Sequence, residues 1–396
     1  MVGLAWDDRR IRLVVIAVAW LAAAVNLVRG FRFALAAPDR GQGDLHVYLE
    51  ATRWLRAGSP LYDYATSTGL GFTYPPFAAL VLAPWGFLSD PVAELLWTVG
   101  ILAGVVCLGI VVGLRARPDW SPPVRWTVAG IVVAVSTQTV FVQANLATGQ
   151  ISLLLVCLSL VDCSRVFRSP RWGALSGFAA AIKLTPSLIV LLHLIADRRR
   201  ARWSLGAAVV STLAAAVVLP RESLTYWTSA LWQTSRVGEV DYLGNLTWVG
   251  VVVRAGWDGT TGRVLGLVLG AATALAALWN GRRHWSENPV AAVAIVGCAS
   301  VVAAPISWPH HAVWLVVWAF CLIVSRSVWL RTLGTGLLLL SLFWTPVAAV
   351  AAQWGAAAIL SAVPVLAMSV AAALRIPSPR PTSVSVESLT GGAALG

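Results

Sequence analysis

The stretch LVVIAVAWLAAAVNLV, Leu13 to Val28, carries no charge and a single amide, Asn26. Arg9, Arg10 and Arg12 precede it. An apolar run with basic residues on its near side reads as a membrane helix entered from the cytoplasm. Ala22-Ala23-Ala24 would also suit a cleaved signal peptide, but no stretch fit for a soluble mature domain follows, so a retained anchor is expected. Similar runs recur at about 123–142, 149–163, 173–183 with 184–197, 203–219, 262–279, 289–305, 310–325, 332–349 and 354–374. The run from Phe77 to Leu114 is broken by Pro84 and by Ser89-Asp90-Pro91, and its first part reads equally as a crossing or as a short re-entrant piece. The 396 residues are 58% hydrophobic and 12% charged, against about 45–50% and about 25% in soluble domains. The sequence therefore predicts an all-α polytopic membrane protein. A single domain over 1–375 holds about 12 transmembrane helices, with outer loops at 30–76 and 220–261. The Pro-, Ser-, Gly- and Thr-rich tail 376–396 reads as disordered, and no second domain or repeat is evident.

The net charge is +12. In a soluble protein that would suggest nucleic acid, but here arginine supplies nearly all of it from short loops between spans. Lys183 is the one lysine. Arg115, Arg117 and Arg125, then Arg165, Arg168 and Arg171, then Arg198, Arg199, Arg200 and Arg202 fall on one side of the spans as drawn. So do Arg282, Arg283, Arg326, Arg331, Arg375 and Arg380. Positive-inside bias makes that side cytoplasmic and puts both termini there. The bland role of these residues is topology and contact with anionic lipid, and no nucleic-acid partner is expected. Arg29, Arg32, Arg40, Arg53, Arg56, Arg221, Arg236 and Arg254 are exceptions on the outer side. The five cysteines form no C-x-x-C pair and imply no disulfide or metal framework.

The outer loops gather GDLHVY (43–48), FTYPPF (72–77), ATGQIS (147–152), GNLTWVG (244–250) and PISWPHH (305–311) at one depth. A plain bundle has no need of such a one-sided cluster; a catalytic or translocation site does. Asp44, near the interface, is expected to have a raised pKa and so to suit a general base. It would equally serve as a helix N-cap. If a helix starts there, Tyr48 shares its face at i+4. Leu49, Trp54 and Leu55 would then dip into lipid while Arg53 and Arg56 stay wet, as in an interfacial helix. Tyr74 before Pro75 is pushed to extended geometry and Pro76 opens a helix. Lys183 either lines a polar cavity or snorkels. His310 and His311 open a span, and being adjacent on a helix they should point apart, so that one at most faces a site. A single metal held by both is not expected. Both read either as phosphate donors or as interfacial histidines beside an aromatic belt. Asn245 and Thr247 match a glycosylation sequon, with a substrate contact or a loop turn preferred.

In this order the motifs resemble glycosyltransferase family 87, the polyprenol-phosphate-mannose-dependent α-mannosyltransferases of the actinobacterial envelope. The resemblance runs over roughly 10–370 through Asp44–Tyr48, Phe72–Phe77, Gly149–Gln150, Lys183–Pro186 and Pro305–His311. It implies the membrane-embedded glycosyltransferase C fold and transfer with inversion, from a β-linked lipid phosphate to an α-glycoside, most often α-(1→2). Asp44 becomes the candidate base. His46, Tyr48, Tyr74, Gln150, Lys183, Asn245, Trp308, His310 and His311 become candidate substrate-binding residues. One base suffices for a direct displacement, and an inverting enzyme needs no carboxylate nucleophile. The implied partners are polyprenol-phosphate-mannose, a mannosylated glycolipid acceptor and membrane lipid, with no cofactor and no metal. The implied location is the bacterial plasma membrane, with the site on the outer face. The family often has Asn-Gln-Ser where this chain has Asn245-Leu246-Thr247, and Phe-Asp-Tyr where it has Leu146-Ala147-Thr148. The first departure favours a polymeric lipomannan or lipoarabinomannan acceptor over a smaller phosphatidylinositol mannoside. An arabinofuranosyltransferase, a lipid-linked sugar flippase and a structural subunit are the competing classes. A flippase should show midplane sites and repeat symmetry, and neither is seen.

Overall fold

The computed structural model describes residues 9–36, 42–164, 171–353 and 357–376. Arg40, Arg165, Arg168, Arg380 and the tail from residue 377 lie outside the described residues. Seventeen α-helices are present among them: α1 Arg9–Leu35, α2 Gly43–Arg56, α3 Pro76–Leu82, α4 Asp90–Arg115, α5 Pro122–Ser136, α6 Val140–Thr148, α7 Ser152–Ser164, α8 Ala174–Ile182 and α9 Ser187–Ala196. The series continues with α10 Arg198–Val218, α11 Pro220–Thr228, α12 Trp248–Arg254, α13 Gly259–His284, α14 Pro289–Val302, α15 Val313–Ile323, α16 Val328–Gln353 and α17 Ala357–Ala373. The protein is an all-helical membrane protein.

The opening apolar stretch forms α1, 27 residues long, or about 40 Å at 1.5 Å per residue. Few of its residues are covered by protein. Ala19 and Ala23 pack on α5, where a side-chain carbon on Gly130 would lie 3.0 Å from the Ala19 carbonyl carbon. Helices α1, α4, α10 and α13 are each long and apolar enough to cross a membrane. The predicted 123–142 span is a broken pair, α5 and α6, bent by 62°. Thr137 and Thr139 sit at the break and return their hydroxyls to Val133 O and Ser136 O, which competes with the helical ladder and favours a bend. The ambiguous 77–114 run resolves into α3, a 3-10 turn at Ala83–Phe87, and α4. Seven α-helical and five 3-10 residues rise about 20 Å, short of the roughly 30 Å hydrocarbon core. Only α4 can cross there.

At the centre lie α14 and α15. Every residue of α14 from Val290 to Val302 is buried, as is every residue of α15 from Val313 to Leu322. Both are apolar on all sides, the pattern of a helix wrapped by others. Helix α14 touches α7, α9, α13, α15 and α17.

Helix α2 lies beside the start of α4. Arg53 donates to Gly86 O at 3.1 Å and Leu88 O at 2.7 Å and pairs with Asp90 at 2.8 Å. Trp54 is exposed as expected, but Leu49 is fully buried in protein rather than turned to lipid. Its face is the one that carries Leu45 and Thr52 against the protein. The start of α11 ties onto the segment after α2 through Glu222, whose Oε2 accepts from the Leu61 N–H at 3.1 Å.

Candidate active site

Helix α2 starts at Gly43, with Gln42 at the N-cap position. Asp44 is therefore inside the first turn and does not cap it. Two contacts fix this turn. The Gln42 Nε2 donates to Thr98 Oγ1 at 2.7 Å. Below it, Gly149 ends α6 with φ +67°, and a side-chain carbon there would sit 2.6 Å from Leu45 Cβ and 2.8 Å from Gln42 Cβ. Only glycine combines the left-handed turn with that approach. The turn brings Gln150 and Thr148 beside Asp44, where their side chains favour the ionised carboxylate; the Thr148 hydroxyl itself donates to Ala144 O at 2.9 Å.

From Asp44 a polar network runs inward. Gln150 Oε1 accepts from the Tyr74 hydroxyl at 3.1 Å, from Ser152 Oγ at 3.2 Å and from Lys183 Nζ at 3.4 Å. Lys183 Nζ also donates to Ser152 Oγ at 2.9 Å and to the Tyr74 hydroxyl at 3.2 Å. The hydroxyl of Tyr48, one turn beyond Asp44, meets that of Tyr74 at 2.9 Å. Burial raises the Asp44 carboxyl above its ordinary range. The neighbouring polar side chains of Gln150 and Thr148 and the charge of Lys183 pull the other way, and burial prevails. Burial also pushes the Tyr48 and Tyr74 phenols well above their usual range, so both remain protonated.

The histidine pair closes the opposite wall. His310 and His311 lie in a 3-10 turn, Pro309–His311, before α15 begins at Val313. The expectation that they diverge as helix neighbours is corrected here: their rings stand edge to face with centroids 4.3 Å apart, and both line the cavity that Asp44 lines. The Trp308 N–H donates to His311 Nδ1 at 2.9 Å, which places the proton of the neutral ring on Nε2. That Nε2 and the Nε2 of His310 are buried with no protein partner. Asn145 positions the turn, donating to His310 O at 2.9 Å and accepting from the Leu153 N–H at 3.0 Å.

Two chambers meet at this point. One, of about 90 Å³, is lined by Asp44, Tyr48, Gln150, Trp308 and both histidines. The other, of about 200 Å³, is lined by Lys183, Thr185, Tyr226, Leu231 and Pro305. Thr73, Tyr74, Arg236, Val237 and His311 border both.

The structure thus gathers Asp44, Tyr48, Tyr74, Gln150, Lys183, Trp308, His310 and His311. It does not bring in His46 or Asn245. His46 lies two residues from Asp44, on another face of α2, and its Nε2 meets Glu94 Oε1 at 2.8 Å. Asn245 is fully buried; it donates to Val240 O at 2.8 Å and accepts from the Ser307 N–H at 3.1 Å. Thr247 caps α12 through the Gly250 N–H. Leu246, where the family's glutamine would stand, is fully buried and hydrogen-bonds Ser307 O through its backbone. Ser152, Asn145 and Arg236 are participants that sequence reading did not single out for the site. An asparagine inside the apolar run 140–146 was the one available signal. Among the described residues no group of three or more His, Cys, Asp or Glu side chains is placed to hold a metal ion.

In this helical membrane protein a half-buried carboxylate thus faces two buried, unpartnered imidazole nitrogens across a cavity. Residues 72–305 match the model of glycosyltransferase family 87. Two relatives share 32% identity with 77% of this chain, over 75% and 76% of their own lengths. Both are polyprenol-phosphate-mannose-dependent alpha-(1-2)-phosphatidylinositol mannoside mannosyltransferases, from Mycolicibacterium smegmatis and Mycobacterium tuberculosis. A third, from Mycolicibacterium smegmatis, is a phosphatidylinositol pentamannoside mannosyltransferase with the same donor, 32% identical over 76% of this chain and 75% of its own. No solved structure matches the chain. The chain belongs to glycosyltransferase family 87 and is a glycosyltransferase.

Proposed function

We propose that the protein transfers mannose from polyprenol-phosphate-mannose to a phosphatidylinositol mannoside, forming an α-(1→2) linkage with inversion. The observation that carries the mechanism is the Asp44 carboxylate, beside Gln150 and across from the two histidines on the wall of the smaller chamber. The acceptor hydroxyl oxygen forms the new bond to the sugar C1 while its proton passes to Asp44. The bond from C1 to the phosphate oxygen breaks, and its electron pair leaves with the lipid phosphate. Positioned donors stabilise such developing charge. The unpartnered Nε2–H of His311 borders both chambers and supplies one. Lys183 acts on the other side of the network, where its charge eases ionisation of Asp44. No cofactor takes part in this scheme.

Leu246 is buried and lines neither chamber, so the departure from Asn-Gln-Ser gives no support to a polymeric acceptor. The relatives' names favour the smaller glycolipid. We read the site as lying on the outer face of the plasma membrane with both termini cytoplasmic, because that arrangement keeps the inter-helix arginine groups on one side.

The experiment is transfer by purified protein, wild type and Asp44→Asn, from radiolabelled polyprenol-phosphate-mannose to a panel of phosphatidylinositol mannosides and lipomannan. Transfer by the wild type to a phosphatidylinositol mannoside and loss of about 10²–10⁴-fold in the variant, the usual range for a general base, are expected. Equal rates in the two proteins would remove Asp44 from the chemistry. Transfer of arabinose alone would replace the donor.

A further inference from the structure

The outer-side arginines run against the charge pattern that orients the chain, so each needs a local reason. Arg53 is committed to Gly86 O, Leu88 O, Glu50 and Asp90. Arg254 is committed to Ser361 Oγ at 2.9 Å, Tyr242 O at 2.9 Å and Asn245 O at 3.1 Å. Arg236 is different. Its Nη2 donates to Tyr62 O at 2.6 Å, while its Nε is buried with no hydrogen-bond partner. Among the described residues it makes no ion pair. The guanidinium lies across Gly71, where an added side-chain carbon would come within 3.2 Å of Nη2. It borders both chambers, beside Tyr74 and His311.

Holding a permanent cation in a partly buried wall without an anion is unfavourable, and a ligand that brings the anion recovers that cost. The planar fork of donors suits two oxygens of one phosphate. We propose that Arg236 binds the phosphate of a lipid substrate at the junction of the two chambers. The proposal rests on the transferase reading above for the presence of a lipid phosphate, but not on the identity of the sugar. The donor's phosphate and the phosphodiester of an inositol lipid acceptor share the required chemistry. As the bond from C1 breaks, a donor phosphate gains negative charge, and the Arg236 fork would hold it more tightly at that moment than in the resting complex.

The test is binding to wild type, Arg236→Gln and Arg236→Lys in nanodiscs, titrated with a polyprenyl phosphate, its parent polyprenol and phosphatidylinositol, each without acceptor or sugar. At least tenfold weaker binding of the polyprenyl phosphate to Arg236→Gln, unchanged polyprenol binding and partial rescue by lysine support the donor phosphate as the ligand. The same pattern confined to phosphatidylinositol supports the acceptor phosphate. Equal affinity of wild type and Arg236→Gln for both phosphates overturns the proposal. So does a matched loss for polyprenol with lowered melting temperature, since that marks a loop-tying role through Tyr62 alone. A wild type that binds polyprenyl phosphate but transfers no mannose sinks the sugar assignment and leaves Arg236 in place.

Discussion

At the scale of single residues, the base proposed at the head of α2 should govern the pH response. A base works only when deprotonated, and burial raises the Asp44 carboxyl above the ordinary aspartate range. The acid limb of kcat/KM should therefore fall at higher pH than a free carboxylate, near pH 4, would set. Activity should be lost as pH falls through that limb and be flat above it, which a pH–rate profile checks. Lys183→Met removes a positive charge that lowers the Asp44 value, so its limb should move to still higher pH. A limb that stayed in place would show that the two charges do not communicate. Part of the gathering of these side chains was legible beforehand. An acid beside a membrane span demands a reason, and the i+4 spacing put Tyr48 on its face. His46 was swept in by adjacency, although a helix turns about 100° per residue and carries it to Glu94. The role of Gln150 as the link between Asp44 and Lys183 needs three distant segments at once, and no local pattern reveals it.

At the scale of elements, the turn between α6 and α7 sets where α2 can sit. Gly149→Ala would force a left-handed residue, costing about 1–2 kcal/mol, and push a methyl into Leu45 and Gln42. Transfer should fall at least tenfold while the protein still inserts, measured by activity per folded molecule. Asn145→Ala would leave His310 O and the Leu153 N–H unpaired in the interior. Each such group costs about 1–3 kcal/mol, so the melting temperature in detergent should drop along with activity. A melting temperature equal to wild type would refute the latch. Pro75 and Pro76 announced the start of α3, and the proline-rich break announced α4. The 3-10 turn holding the histidines was not legible. The apolar residues around it fit a helix starting at His310 equally well, and its hydrogen bond from Trp308 to the His311 ring is a tertiary choice.

At the scale of the molecule, hydropathy exposed the helical membrane class at once, because twenty-residue apolar runs have no soluble use. It could not give the bend between α5 and α6 or the full enclosure of α14, which depend on which helices neighbour which. The proposed orientation has a direct check. A cysteine at Leu70, exposed in the first outer loop, should react with an impermeant maleimide in intact cells, and one at Arg326 should not until the membrane is opened; the reverse pattern would invert the topology. The enclosure of α14 bears on how the protein is made. Its neighbours α7, α9 and α13 precede it and α15 and α17 follow it, so during synthesis one flank of α14 faces lipid until the last helices leave the ribosome. The histidine wall comes between those two moments, while Asp44 has been in the membrane since the second helix. Translation arrested before His310 would leave a protein that has its carboxylate but lacks both histidines of the opposite wall.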